Sequence, residues 1–488
     1  MSLWVLGLDL WQVLAHGRIW TGSDAVYQED GMQSLMWMQG ILHHGASPDL
    51  YVLGHTAADF FQPLLAGSAG LTALGVAPYI ALLLWKPVAV ACAFFAIRAY
   101  VRHTISGRWP RRAALVLALY FAWGTVIGDS WLVWWSWGYP FALIGLACAV
   151  GALLLYARAR AAGEVSLPAP VLGALASWLH PWQGEALILI LIGSELVLFL
   201  QGDRPPMLGL VLTVALTAVP LGYFALLVHF DGVWQRERQE AISTYPLSHV
   251  ARSFAPIALP ALLAYRRRPA NFIALSARVW PIAALALFLF SEWQGSGPTH
   301  ALLGLTIPLA VLAVEGVCSL PWTLAAGRLG LTRLPGIPLL SVVLIAFLTI
   351  PGTISVFKVA RKASRPRVGN ANFISPGENE ALAYLAGNPR DGGVLTRFYL
   401  GMVVPAETGR QTYLGNCYWS TPNCRLRSVM TEDLLRGHLR PAQAVAFVRA
   451  SGARFVLGDC RSQNLTTALA PITTAVHRFS CATVYVLR

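Results

Sequence analysis

Acidic side chains are concentrated in one stretch near the N-terminus. Between Gly22 and Pro63 the sequence contains no Lys or Arg, and its carboxylates are Asp24, Glu29, Asp30, Asp49 and Asp59. An ionised carboxylate can accept the proton of a hydroxyl group and thereby activate that group as a nucleophile. The stretch therefore indicates general-base chemistry on a hydroxyl group.

Asp30 is the carboxylate with the best-defined position in this stretch. Apolar residues from Leu35 to Leu42 recur at helical spacing and predict an amphipathic helix on the membrane surface, with Asp30 at its N-terminal end. That end of a helix favours an ionised carboxylate. Asp30 is therefore predicted as the catalytic base, with Asp24 and Glu29 as substrate-binding residues. The alternative is that Asp30 only caps the helix.

A second candidate segment runs from Asp129 to Tyr139 and is rich in aromatic residues. Its Trp134 and Trp137 are predicted to contact substrate, either by stacking on sugar rings or by lining a lipid groove. An ordinary aromatic belt at the membrane interface explains the segment equally well. Asp129 is a candidate second carboxylate.

Three later loops supply further polar candidates. Imidazole, amide and carboxyl groups between apolar segments are costly unless they serve a cavity or a cap. Arginine carries a planar set of donors that suits a lipid phosphate, although a solvated run of charges is an alternative. The predicted substrate-binding residues in these loops are His180, Gln183, Glu185, Arg236, Arg238 and His300.

The elements that position these residues are membrane helices. The chain is 56% hydrophobic and 12% charged, whereas a soluble domain has about 25% charged residues. Apolar runs long enough to span a bilayer recur along the chain, which predicts a polytopic all-α membrane domain of about 10–11 transmembrane helices. The predicted spans are 1–15, 76–101, 113–128, 140–157, 168–179, 184–200, 207–228, 254–265, 276–290, 301–320 and 338–357.

The loops between these spans alternate in charge. Arginine is abundant in every second loop, for example at 108–112 and 266–268, and sparse in the loops between them. Since cytoplasmic loops carry the excess of Lys and Arg, the acidic loop at 16–63 is predicted to face outward from the plasma membrane. The net charge of +13 is spread over loops, without a basic helix or motif, so no nucleic-acid partner is predicted.

The C-terminal region is predicted to be a separate extracytoplasmic α/β domain. Residues 1–357 form the membrane domain, and residues 358–488 the α/β domain, which begins with a basic linker to Ser375. The predicted helices are 378–386, 425–437 and 442–450, and the predicted strands are 393–396, 411–415, 454–457 and 483–487.

Four cysteines in this region predict two disulfides, as expected in an oxidising compartment. Four cysteines allow three pairings; the favoured one joins Cys417 to Cys424 and Cys460 to Cys481. Zinc binding is the alternative, but no C-x-x-C pair is present.

Taken together, these features resemble the GT-C superfamily of membrane glycosyltransferases, in particular bacterial members of actinobacterial type. The resemblance is carried by the outward loop with Asp30, by Phe60-Phe61-Gln62-Pro63, and by the Val404–Gly415 string VPAETGRQTYLG, which is similar to a stretch in outward domains of bacterial members. Segments LLLWKP at 82–87 and LHPWQGE at 179–185 add to it.

The resemblance implies transfer of a hexosyl or pentosyl group from a polyprenyl-phosphate donor to a glycan, lipid or protein acceptor of the cell envelope. In such enzymes a first-loop Asp serves as the base, which here maps to Asp30. No cofactor is predicted: a divalent metal is compatible with the acidic loop, but no ligand motif supports it. The alternatives are a polysaccharide ligase or polymerase that uses a lipid-diphosphate glycan, and a lipid flippase or transporter.

Overall fold

The computed structural model describes residues 3–23, 28–123, 131–132, 139–240, 245–294, 297–320, 337–365 and 369–488. Helices dominate the first 365 residues. They are α1 (Leu3–His16), α2 (Gln28–His44), α3 (Pro63–Ala73), α4 (Pro78–Leu83), α5 (Trp85–Thr104), α6 (Arg108–Tyr120), α7 (Pro140–Ala162), α8 (Pro168–Leu179), α9 (Pro181–Leu200), α10 (Met207–Phe230), α11 (Gly232–Glu240), α12 (Leu247–Leu262), α13 (Phe272–Gln294), α14 (Thr306–Cys318) and α15 (Ile337–Ala363).

The C-terminal region alternates helices with strands. Its helices are α16 (Pro376–Gly387), α17 (Phe398–Thr408), α18 (Cys424–Leu435), α19 (Pro441–Ser451) and α20 (Thr466–Leu469). The strands of the chain are β1 (Ile19–Trp20), β2 (Phe373–Ile374), β3 (Val394–Thr396), β4 (Phe455–Gly458), β5 (Thr473–Phe479) and β6 (Ala482–Leu487).

The protein is a multi-pass membrane protein, and the predicted all-α membrane domain is confirmed. In the described part of the chain, 8 helices are long and apolar enough to cross a membrane. The predicted span 168–179 coincides with a shorter apolar helix of 12 residues, Pro168–Leu179. The predicted spans 1–15 and 113–128 overlap helices of 14 and 13 residues, which are shorter than the roughly 20 residues that a bilayer requires.

Contacts divide the chain into two compact units. The first unit contains residues 1–86, 226–241 and 360–488, and the second contains residues 87–225 and 242–359. The second unit is built from the membrane helices. Its span Pro298–Cys318 packs against α6, α12 and α13, and 83% of the residues in its most apolar stretch are buried, so it forms the centre of this bundle.

Several charged side chains inside the second unit form ion pairs. Arg278 donates to Glu315 at 2.6 Å, and Arg160 donates to Glu195 at 2.8 Å. Tyr156 also donates its hydroxyl to Glu195 at 2.7 Å. Because an uncompensated charge at membrane depth is costly, these pairs explain how the apolar helices tolerate their carboxylates.

The first unit joins the N-terminal loop to the C-terminal region. β1 pairs with β2 in antiparallel register, with Ile19 opposite Ile374, and the Thr21 amide donates to the Asn372 carbonyl at 3.0 Å. Helix α2 packs against α3 and α17 through its buried residues. The loop that carries Asp30 is therefore part of the same compact body as the region after Ala360.

A four-stranded sheet lies in the C-terminal region, in the order β3-β4-β6-β5. β3 and β4 are parallel, and the other two pairs are antiparallel. The predicted strands near 393–396, 454–457 and 483–487 are present. The predicted strand at 411–415 is wrong, because only Thr412 forms a bridge, to Val394. The half-buried strand β5 and the buried helix α17 were missing from the prediction.

The structure corrects the predicted linker at the start of the C-terminal region and confirms the two predicted disulfides. Residues Lys358 to Ala363 of the predicted linker are instead the last turns of α15, and Phe373–Ile374 form β2. The disulfide prediction is confirmed: the structure joins Cys417 to Cys424 and Cys460 to Cys481.

Close backbone packing around α17 gives a first testable prediction. A Cβ added at Gly401 would collide with the carbonyl oxygen of Leu414, whereas a Cβ at Gly387 would meet nothing within 4 Å. We expect Gly401→Ala to destabilise the C-terminal region by about 1–3 kcal/mol, because backbone atoms must shift. Gly387→Ala is the matched control and should be neutral or stabilising by up to about 1 kcal/mol. Thermal unfolding of both variants in detergent tests the difference, and equal effects would contradict it.

Candidate active site

The predicted helix after Asp30 is present as α2, from Gln28 to His44. Glu29 and Asp30 lie in its first turn, where the helix dipole favours negative charge. Both carboxylates are partly buried. The helix is fixed within the first unit by side-chain contacts, since Asn416 donates to Gln33 at 3.0 Å. The structure therefore places Asp30 in the first turn of a helix that a side-chain contact fixes within the first unit.

Tyr51 lies within electrostatic range of this turn. It is fully buried, and its hydroxyl donates to the Met402 carbonyl at 3.4 Å. Burial raises the pKa of Tyr51 well above its usual value, and the charges of Asp49, Glu29 and Asp30 raise it further. Burial likewise raises the pKa of the Glu29 carboxyl. The first turn of α2 and the loop after it thus form one acidic region.

Asp49 is the most deeply buried carboxylate of that region, with 8% exposure. Its Oδ1 accepts the Tyr51 amide at 2.8 Å, while its Oδ2 is buried without a hydrogen bond from the described residues. The pKa of Asp49 is raised to about 7: burial and the charge of Asp231 raise it, while the Tyr51 amide and the charge of Arg236 lower it. Asp231 and Arg236 therefore both act electrostatically on Asp49.

Asp59 completes this group. Burial, the charge of Asp231 and a hydrogen bond with Asp231 together raise the pKa of Asp59 to about 6, although its own backbone amide lowers it. Asp231 also accepts the Val233 amide at 2.7 Å and so begins α11. Arg236 lies one turn further along α11, and its Nε approaches the Thr421 hydroxyl at 3.4 Å. The carboxylates come from two distant parts of the sequence and meet at the start of α11.

The raised pKa values predict that stability decreases with increasing pH. Between about pH 4 and pH 7, Asp49 is ionised in the unfolded chain but still largely protonated in the folded one. The free energy of unfolding therefore decreases as the pH rises through this range. For Asp49 this amounts to at most about 4 kcal/mol. We expect Asp49→Asn to flatten the fall in melting temperature between pH 4.5 and 7.5.

The control for this measurement is Asp391→Asn, which alters an exposed carboxylate of the same unit. We expect this variant to retain the wild-type pH dependence. The interpretation is contradicted when Asp49→Asn and Asp391→Asn give the same pH profile of thermal unfolding.

Four aromatic rings pack beside the carboxylates in the first unit. The Trp37 and Phe60 ring centroids are 4.1 Å apart, those of Trp234 and Trp419 are 4.7 Å apart, and Phe60 is 5.5 Å from Trp234. Trp419 and Phe60 are buried, whereas Trp37 and Trp234 are partly exposed. We call this set the aromatic cluster. It rests on a small apolar core that includes Met36, Leu50, Tyr51 and Val233.

The second unit contains its own group of predicted residues, at the start of α9. His180 and Gln183 are both buried, with 2% exposure. The ring centroids of His180 and His300 are 5.5 Å apart, and Trp182 stacks on His300 at 4.5 Å. Gln183 donates to the Leu303 carbonyl at 3.4 Å. The structure therefore brings three predicted residues together here, with Glu185 on the next turn of the helix.

The remaining predicted site residues are either exposed or outside the part of the chain that the structure describes. Arg238 is exposed on α11. Asp24, Asp129, Trp134 and Trp137 lie outside the described residues. Within the described ranges, no group of three or more His, Cys, Asp or Glu side chains is arranged to hold a metal ion.

Several residues of the acidic region were not singled out by the sequence. Asp231 was missed, although an Asp directly before a polar helix is a common helix-capping signal. Trp37 and Trp419 were missed because they lie far apart in sequence and only packing brings them together.

The fold can be compared with known proteins. No protein-family model matches the sequence, and no curated protein matches it. Among solved structures, ArnT from Cupriavidus metallidurans bound to undecaprenyl phosphate matches with a TM-score of 0.53 and 15% identity, over 99% of this chain and 97% of that chain. The oligosaccharyltransferase AglB from Archaeoglobus fulgidus, in complex with an inhibitory peptide and a dolichol-phosphate, matches with a TM-score of 0.54 and 12% identity, over 96% and 70%.

A third match is the arabinofuranosyltransferase AftD from Mycobacteria, with a TM-score of 0.57 and 14% identity. It covers 99% of this chain but only 41% of that chain. At these identities the similarity establishes the fold. The chain therefore shares the fold of ArnT, AglB and AftD, the GT-C fold that the resemblance in the sequence implies.

Proposed function

We propose that the protein is a membrane glycosyltransferase that transfers a hexosyl or pentosyl group from a polyprenyl-phosphate donor to a cell-envelope glycan, lipid or protein. The observation that carries this proposal is the match over nearly the whole of both chains to ArnT bound to undecaprenyl phosphate. AglB, which was solved with a dolichol-phosphate, supports a lipid-phosphate substrate of the same kind.

In this reaction Asp30 is the general base. The acceptor hydroxyl gives its proton to the Asp30 carboxylate while its oxygen attacks the anomeric carbon of the donor sugar. The bond between that carbon and the phosphate oxygen breaks, and polyprenyl phosphate leaves as an anion. The position of Asp30 in the first turn of α2 supports this role, because the helix dipole favours its ionised form before proton transfer.

Stabilisation of the leaving phosphate requires cationic or hydrogen-bonding groups. In the first unit we propose Arg236 and Arg238 for this role, with Glu29 and Asp24 as contacts to the substrate. In the second unit, the group around His180 offers imidazole and amide groups, and we propose it as a further contact to polar parts of the lipid-linked substrate. For Asp129, Trp134 and Trp137 the sequence alone motivates the same proposal.

We also propose that the first loop and the C-terminal region face outward from the plasma membrane. The pairing of β1 with β2 supports a common side for both segments. Two disulfides in the C-terminal region support an oxidising compartment. The loop arginines of the sequence agree with this orientation.

The direct test is sugar transfer by the purified protein in detergent. A panel of polyprenyl-phosphate monosaccharides with labelled sugars is incubated with membrane glycan extract, and label in the extract is measured. Transfer from one donor, dependent on both protein and extract, is the expected result. Absence of transfer from every donor, with a folded protein, would contradict the proposal.

A further inference from the structure

The aromatic cluster and the carboxylates beside it have a composition suited to a sugar. Aromatic faces provide apolar surface for the C–H groups of a sugar ring, and carboxylates accept hydrogen bonds from its hydroxyl groups. Trp37 and Trp234 are partly exposed, as are Asp59 and Asp231. Both kinds of group are thus accessible in the same unit.

The two sets of groups are held together by shared segments of the chain. Asp59 directly precedes Phe60, and Asp231 lies one turn before Trp234. The Ser47 amide donates to the Phe60 carbonyl at 2.8 Å, which closes the loop that carries both Asp49 and Asp59. The position of each carboxylate relative to an aromatic ring is therefore fixed by the backbone.

One buried carboxyl oxygen of this region makes no hydrogen bond to the described residues. Asp49 is 8% exposed, and that oxygen is its Oδ2. Buried polar atoms are nearly always satisfied, so this oxygen indicates a further hydrogen-bonding group. A ligand hydroxyl group suits it, because it can donate to the carboxylate or accept from the protonated carboxyl.

The region is acidic and contains one nearby cation. Arg236 offsets part of the negative charge, since it acts electrostatically on Asp49. A hydroxyl-rich, uncharged ring can donate hydrogen bonds to these carboxylates without adding further negative charge.

We propose that Trp37, Phe60, Trp234 and Trp419, together with Asp49 and Asp59, form a saccharide-binding subsite. The subsite rests on the proposed glycosyltransferase function and adds to it the residues that recognise a sugar ring. The ring belongs either to the lipid-linked donor or to the acceptor glycan, and these sources share the same chemistry.

Hydroxyl-radical footprinting of the purified full chain tests the subsite without requiring turnover. Modification of Trp37 and Trp234 is measured by mass spectrometry with no ligand, with the panel of polyprenyl-phosphate monosaccharides, with membrane glycan extract, and with polyprenyl phosphate alone. Trp109, which is 66% exposed on α6, is the control residue.

We expect at least a threefold decrease in modification of Trp234, with Trp109 unchanged, in one of the two sugar-containing arms. Protection by a lipid-linked sugar but not by polyprenyl phosphate identifies a donor subsite, and protection by the extract identifies an acceptor subsite. Equal protection by polyprenyl phosphate alone would overturn the proposal, because the lipid and not the sugar would then occupy the site. No protection in any arm would also overturn it.

Variants separate this subsite from the function on which it rests. We expect Trp234→Ala and Asp59→Asn to raise the KM for the sugar-bearing substrate at least tenfold, with a smaller change in kcat. Trp109→Ala is the control and should leave both constants unchanged. Transfer without footprint protection would support the glycosyltransferase function and contradict the subsite. Protection without transfer would support the subsite and contradict the glycosyltransferase function.

Discussion

Asp30→Asn is expected to reduce the rate of polyprenyl-phosphate release by about 10²–10⁴-fold, the range typical of the loss of a general base. The amide keeps the shape of the carboxylate but cannot accept the acceptor's proton. Release is measured with the donor that supports transfer, at saturating donor and glycan extract. Substrate binding should change far less than the rate, because the proton moves only as the new bond forms.

The matched control for this experiment is Glu29→Gln, one residue earlier in the same turn of α2. Glu29 is proposed to contact the substrate and not to take the acceptor's proton, so at saturating substrate its replacement by glutamine should change the rate little. We expect its rate to stay within about tenfold of wild type, a change well below that of a lost general base. Wild-type release by a folded Asp30→Asn variant would remove Asp30 as the base.

Arg410→Ala is expected to give the largest loss of stability in the C-terminal region. The guanidinium stacks on the Phe455 ring, with 5.0 Å between its central carbon and the ring centroid. It donates to the carbonyl oxygens of four residues in the α16–β3 connection, which are Leu385, Asn388, Arg390 and Gly392. Its removal leaves several carbonyl groups without a donor, which should cost about 3–5 kcal/mol in total.

Arg454→Ala is the control for this second prediction. Arg454 is exposed and donates to a single carbonyl, that of Arg488, at 2.8 Å. We expect it to cost less than about 1 kcal/mol, as an isolated surface contact does. Arg410→Lys should be intermediate, because one ammonium group cannot reproduce the planar set of donors. Limited proteolysis combined with thermal unfolding distinguishes the variants, and equal stability of Arg410→Ala and Arg454→Ala would contradict this role.

The Arg410 contacts also explain one part of the sequence resemblance. The VPAETGRQTYLG string at 404–415 resembles outward domains of bacterial GT-C proteins. In the structure its arginine organises backbone carbonyl groups, and Thr412 bridges to the edge strand β3. The string therefore has a structural role that its polar composition does not reveal.

Local patterns predicted the fold well where the signal was contained in neighbouring residues. Helical spacing after Asp30 predicted α2, and hydropathy predicted most membrane helices, because both depend on a single segment. The pairing of Cys417 with Cys424 was also accessible, since only seven positions separate them. The prediction failed where tertiary contacts decide the structure: residues 411–415 form a single bridge, from Thr412 to Val394 on the edge strand β3, and no strand.

The candidate site was predictable only in part for the same reason. Asp30 was found because a helix terminus gives it a local context. The grouping of Asp49 and Asp59 with Asp231 depends on packing between a loop near residue 50 and a helix that begins at residue 232. The sequence pattern of neither segment indicates that the two segments are in contact. The sequence likewise does not indicate that Trp37 and Trp419 pack together.

The central claim is that a lipid-phosphate sugar is the donor, and the identity of the leaving group tests it most directly. The purified protein is offered polyprenyl-phosphate sugars and polyprenyl-diphosphate glycans in parallel, each with glycan extract, and the released lipid is identified by mass spectrometry. Our account predicts polyprenyl monophosphate, released only in the first reaction and dependent on Asp30. Release of polyprenyl diphosphate from the second donor, with none from the first, would contradict it and favour a ligase or polymerase.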